Sequence, residues 1–198
     1  MIRRAGPRRV ATHLKPGAGR PAFLPFARPD IDEATIQAVA AVLRSGWITS
    51  GPQVERFESE LSAYFGGRPV RTFAHATAAL EVAVRLVGVG PGDEVIVPAM
   101  TFVASANVVA LAGGRPVRVD VDLASRNTDA ECIEAAITAR TRAIMPVHFA
   151  GLPVDLEPVY ALARRRGLRV IEDAAHAMGA AYQGRRIGAQ GDLVAFSF

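Results

Sequence analysis

Lysine is almost missing from this chain: Lys15 is the only one in 198 residues, and it lies in an arginine-rich stretch near the start. Chemistry that needs a Schiff-base lysine must find it elsewhere or not take place. Cysteine is equally scarce. A single Cys132 excludes an intramolecular disulfide and suits a reducing, cytoplasmic compartment. No apolar run reaches the ~18 residues of a membrane helix, and no signal-peptide core follows the basic start, so a soluble protein without a membrane partner is expected. Asp120 and Asp122 have no His or Cys spaced to complete a ligand set, so they read as turn chemistry and no metal is expected. There is no internal repeat.

Charge is unevenly spread. The formal net charge of +4 and a pI near 10.0 suggest nucleic acid at first, but six of the 23 cations fall in residues 1–20, which hold no acid. The remaining 17 cations face 19 acids, so the body of the chain is close to neutral and calls for no nucleic acid. Residues 1–28 read mainly as a flexible basic arm, with nucleic-acid contact or targeting as lesser readings. With 50% hydrophobic and 21% charged residues, the rest can bury a core of its own as one domain or part of a larger one.

After Pro29 a helix is expected, capped by Asp30, with Ile36, Val39, Ala40 and Leu43 at helical spacing and Gly46 as its stop. Gly46–Gly51 then forms a loop around Trp47. A second helix follows from Pro52 with Val54, Phe57, Leu61 and Tyr64 as its stripe. Beyond Gly67, short β-branched runs alternate with helical ones. Strands are expected at Val70–Phe73, Glu94–Val97, Pro116–Val121, Ala143–Val147, Arg169–Glu172 and Leu193–Phe198. Helices are expected at Ala76–Val87, Phe102–Leu111, Ala130–Thr138 and Leu156–Arg166. Such alternation is the signature of βαβ units, and the fold class is α/β, a three-layer αβα arrangement with a mostly parallel sheet. Tyr182–Gly188 suits a turn or a short antiparallel excursion.

The segment Val170–His176 carries the most chemistry. An apolar run there delivers Asp173 and His176 to the point where a parallel strand leaves its sheet, the edge at which open α/β sheets bind ligands. An acid emerging half-buried can keep a ring nitrogen in its protonated form, or it can simply cap a neighbouring loop. His176 can bond a ring hydroxyl or pack. His75–Ala79 lies at a strand-to-helix junction whose small residues let an anion approach free backbone N–H groups, although small residues also serve plain packing. It lacks the lysine and glycines of a Walker loop. Phe102 follows another strand, where it can stack on a flat heterocycle or belong to the next helix's core. His148 also lies at a strand end.

Taken in order, Gly46–Pro52, Ala76–Leu80, Pro91–Pro98, Thr101–Phe102, Pro146–His148, Glu172–His176 and Gly191–Asp192 with Phe196–Phe198 resemble the sugar aminotransferases of the DegT/StrS type. Those are fold-type I enzymes dependent on pyridoxal 5'-phosphate, and the resemblance runs from about Pro29 to Phe198. It implies that Ala76 and Thr77 bind the cofactor phosphate, that Phe102 stacks on the pyridine ring and that Asp173 pairs with the ring nitrogen. His176 would meet the ring hydroxyl, and Ser197 would add a phosphate contact. The family's Schiff-base lysine follows Phe-Ser-Phe by about four residues, which falls just past Phe198. Residues 29–198 are thus expected to be the partial cofactor-binding large domain, an N-terminal fragment without the small domain and inactive alone. His75 departs from the family's small or amide residue, and it would either crowd the phosphate or add a donor to it.

A complete relative would move an amino group from a donor such as glutamate to a keto sugar attached to a nucleotide, as a homodimer. Two alternatives remain: a dehydratase relative with histidine in place of the lysine, and a non-catalytic remnant or binding module. The lysine count itself makes one prediction. Borohydride reduction of the purified chain in pyridoxal phosphate should fix cofactor on Lys15 or the N-terminal amine alone, read by peptide mass mapping. A specifically trapped residue within 29–198 would contradict this.

Overall fold

A computed structural model describes Phe23, Pro25 and residues 28–198. The basic arm of residues 1–28 therefore lies outside the described residues, apart from Phe23, Pro25 and Arg28. The chain divides into two compact units, residues 1–49 and 50–198.

The first unit holds α1 (Glu33–Ser45). Its cap is Asp32 rather than the expected Asp30, because the Asp32 carboxylate accepts the Thr35 N–H at 2.8 Å and the Thr35 hydroxyl at 2.7 Å. Gly46 ends the helix as expected, in the left-handed conformation at φ 72°, with its N–H returned to the Leu43 carbonyl. Ile36, Val39 and Leu43 are exposed along this helix.

The second unit begins with α2 (Pro52–Tyr64), where Pro52 occupies the first turn and so forfeits no hydrogen bond. Residues 70–73, expected as a strand, pair with no other strand among the described residues. The Thr72 N–H goes instead to the Glu58 carboxylate on α2 at 2.8 Å, so a side chain takes the place of a ladder partner. Next come α3 (Ala76–Leu86), β1 (Glu94–Pro98), α4 (Ala104–Leu111), β2 (Arg115–Val119), α5 (Ala130–Ala135) and β3 (Thr141–Ile144). After a 3-10 turn at Phe149–Gly151, the chain forms α6 (Leu156–Arg166), β4 (Arg169–Asp173), β5 (Ala181–Tyr182), β6 (Arg185–Arg186) and β7 (Leu193–Ala195). Strands β5 and β6 are the antiparallel excursion. Gln183 and Gly184 between them both have positive φ, the two-residue turn that matches the twist of a hairpin.

The main sheet is parallel throughout, in the order β2-β1-β3-β4-β7. Alternation along its strands sorts side chains into two cores. Val95, Val97, Ala143, Met145 and Ile171 pack with Leu80 and Val84 of α3 and Val108 and Val109 of α4. Ile96, Ile144 and Val170 face the other way, onto Ile133 of α5 and Val159 and Leu162 of α6. The result is the expected three-layer αβα arrangement.

At the amino end of the sheet, Glu94 is fully buried yet ionised. The Thr138 hydroxyl donates to one of its oxygens at 2.6 Å, and the Arg115 and Arg140 guanidiniums donate to the other at 2.7 and 2.6 Å. These donors, Thr138 first and Arg115 next, outweigh burial and draw the Glu94 carboxyl down from the usual 4.5 to about 2. A carboxyl depressed on folding adds stability that is complete above its unfolded value and lost as pH falls through the folded one. Stability should therefore decline between pH 4.5 and about 2. Glu94→Gln should weaken the protein near neutrality and flatten that decline, as read by urea unfolding across the same pH series.

Candidate active site

The carboxyl ends of β1, β3, β4 and β7 open into a cleft of about 380 Å³. Most of its wall comes from segments leaving these strands, which is where parallel α/β sheets present ligand-binding groups, and the amino end of α3 supplies the rest. All six residues assigned to a cofactor from the sequence line it: Ala76, Thr77, Phe102, Asp173, His176 and Ser197. A second cavity of similar volume lies over Tyr160 and the β5–β6 hairpin, and none of the six borders it.

The floor of the cleft is Asp173. Its backbone bridges two elements, since its N–H donates to the Pro146 carbonyl at 2.9 Å and its carbonyl accepts the His148 N–H at 3.0 Å. The residue is only 4% exposed. One carboxylate oxygen accepts the Ser105 hydroxyl at 2.8 Å and the other the Ala175 N–H at 3.2 Å. Ser105 gives no signal in the sequence, being 68 residues away and resembling an ordinary helix serine.

At the amino end of α3, no acceptor among the described residues meets the backbone N–H groups of Ala76 and Thr77. Such free donors at the positive end of a helix suit an anionic oxygen. His75 is the cap of this helix: its Nδ1 accepts the Ala78 N–H at 3.1 Å. That bond assigns the ring proton of a neutral His75 to Nε2, a donor on a residue that borders the cleft.

Phe102 is 71% exposed and is no part of the core. Helix α4 starts at Ala104, two residues later than expected, and this leaves Phe102 on the connection from β1. His176 is exposed on the turn after β4, and its carbonyl lies against the 3-10 turn. A Cβ added at Gly151 would stand 2.9 Å from that carbonyl oxygen, so the close approach requires glycine. Asn127 anchors the same turn by accepting the Phe149 N–H and donating to the Leu152 carbonyl, at 3.0 Å each.

The other acids and histidine noted at strand ends do not reach the cleft. Asp122 accepts the Ala124 and Ser125 N–H groups and makes a turn. His148 is fully buried in a separate network. Its Nδ1 accepts the Val154 N–H at 3.0 Å, so its other nitrogen, Nε2, donates to Glu172 at 2.9 Å. Tyr160 donates to the remaining Glu172 oxygen at 2.5 Å, and burial together with this carboxylate pushes the phenol well above its ordinary range. Burial also raises the Cys132 thiol, which argues against a reactive cysteine. Among the described residues there is no group of three or more metal-ligating side chains, and no helix is long and apolar enough to cross a membrane.

A cleft at the carboxyl edge of a parallel αβα sheet, with free backbone N–H groups on one side and a buried carboxylate on the other, has the form of a ligand-binding α/β domain. The chain belongs to the DegT/DnrJ/EryC1/StrS aminotransferase family, which its residues 29–198 match. It is 42% identical to 3-amino-5-hydroxybenzoic acid synthase over 87% of this chain and 45% of that one, with a TM-score of 0.82. To DesV of S. venezuelae it is 43% identical, covering 84% of this chain and 46% of that one, at a TM-score of 0.77. Spr1654 from Streptococcus pneumoniae has been solved in both PLP and PMP forms. Its PLP form is 39% identical over 88% of this chain and 48% of that one, at 0.84. The chain thus spans a little under half the length of these relatives.

The residues present suit the ring and phosphate of pyridoxal phosphate, whereas no lysine is among the described residues that line the cleft. Pyridoxamine 5'-phosphate, whose amine needs no lysine, therefore probes the cleft directly. Asp173→Ala should weaken its binding roughly 10- to 150-fold, the loss of one charge-assisted bond of about 1.5–3 kcal/mol. Asp120→Ala should leave binding unchanged. Titration calorimetry on the two variants checks both outcomes.

Proposed function

We propose that this chain supplies the cofactor cup of an aminotransferase that moves an amino group from a donor such as glutamate to a keto sugar carried on a nucleotide. The reading rests on one observation: six residues scattered from Ala76 to Ser197 border a single cleft. In this reading Ala76 and Thr77 hold the phosphate through their free N–H groups, and Ser197 adds a hydroxyl to it. Phe102 covers one face of the ring, His176 bonds its hydroxyl, and Asp173 keeps its nitrogen protonated by offering a buried negative charge. Bound pyridoxal phosphate supplies the electron sink that amino-group transfer needs.

The lysine that would carry the cofactor and shuttle the proton is absent from residues 29–198, so the chain by itself is catalytically incompetent. In this reading the active species is a homodimer in the cytoplasm that also holds a small domain and a lysine. A chimera tests this. Residues 29–198 joined to the C-terminal half of Spr1654 should release 2-oxoglutarate from glutamate with a keto sugar nucleotide as acceptor, while residues 1–198 alone release none. Asp173→Ala in the chimera should lower turnover by several orders of magnitude, because both a ring contact and the electron sink are lost. A chimera that folds and binds cofactor yet accepts no keto sugar would overturn the substrate class.

A further inference from the structure

Ser105 lies in the first turn of α4, with its side chain turned wholly inward. Three oxygens surround its own: the Thr101 hydroxyl at 2.7 Å, the Phe102 carbonyl at 3.2 Å and the Asp173 carboxylate at 2.8 Å. A serine has one proton to give. Donation to a charged oxygen is the stronger bond, and donation to Phe102 would leave a buried carboxylate oxygen without a partner. The proton therefore goes to Asp173, and the Thr101 hydroxyl donates to Ser105 in turn. Thr101 borders the cleft, so a two-hydroxyl chain runs from the cleft wall to the back of Asp173.

This chain fixes the plane of the carboxylate. With Ser105 on one oxygen and the longer Ala175 contact on the other, the group cannot turn about its last torsion without breaking a bond. Remove Ser105, and only the 3.2 Å bond from Ala175 remains to resist rotation.

We propose that Ser105, backed by Thr101, is a positioning residue: it holds Asp173 at the angle at which its carboxylate meets the ring nitrogen of the cofactor. The inference rests on the reading that Asp173 faces that nitrogen. It is tested by a double-mutant cycle on the full chain, with pyridoxamine 5'-phosphate as the probe and calorimetric Kd as the readout. Ser105→Ala should weaken binding about 5- to 20-fold when Asp173 is present, less than the loss of Asp173 itself because Ser105 acts only through that carboxylate, and by less than about twofold in the Asp173→Ala background. Ser105→Thr, which keeps the hydroxyl, should stay within about threefold of the native chain. Far-ultraviolet dichroism with thermal unfolding verifies that each variant folds.

An equal loss in both backgrounds would mean that Ser105 serves packing alone and would overturn the proposal, as would no loss in either. If Asp173→Ala weakens binding and Ser105→Ala does not, the inference fails while the cofactor placement survives. Native-like binding by Asp173→Ala would overturn the placement and the inference together.

Discussion

The backbone pairing at the end of β4 is the constraint on which the cleft depends. Asp173 leaves the sheet bonded on one side to the stretch after β3, through Pro146 and His148, and Ala174 bonds on the other to Ala195 of β7. Three parallel segments are thereby locked in register at their carboxyl ends. Parallel ladders carry no side-chain information of their own, yet a slip of one residue would exchange the two faces of β4.

The exchange would matter because two adjacent acids have opposite fates. Glu172 turns toward α6, where Tyr160 and His148 satisfy both of its oxygens. Asp173 turns toward α4 and Ser105. Strand alternation alone accounts for the division, and each acid is held by donors unique to its face. Gly191 belongs to the same design. A Cβ there would stand 2.4 Å from a Glu172 oxygen and 2.7 Å from the Tyr160 hydroxyl, so the acid's network closes only over a glycine. Asp192 beside it accepts two bonds from Arg169 and one from the Val170 N–H, which ties the start of β4 to the approach to β7.

Much of this was legible before any coordinates. Leu156–Arg166 reads as a helix and is one, and Gly184 marks the hairpin turn that the chain makes. Misreadings arose where a side chain replaced a backbone partner. Residues 70–73 have strand composition, but Glu58 takes the Thr72 N–H. Asp30 is the expected cap of α1, but the bond from the Thr35 N–H shows Asp32 in that role. Phe102 taken alone reads more readily as core of the next helix than as a surface ring, and the later start of α4 decides for exposure.

By itself the sequence determined the α/β alternation, the family and the residues that border the cleft, because periodicity and ordered motifs are local properties that survive without a fold. It also determined that residues 29–198 hold no lysine, which is a matter of composition. Only the tertiary structure decided that His148 is a buried partner of Glu172 while His75 caps a helix beside the cleft, since a histidine's role depends on what surrounds each ring nitrogen. The support of Asp173 by Ser105 belongs to the same category. A contact between residues 68 apart is made where the start of α4 meets the end of β4, and no local pattern encodes that meeting.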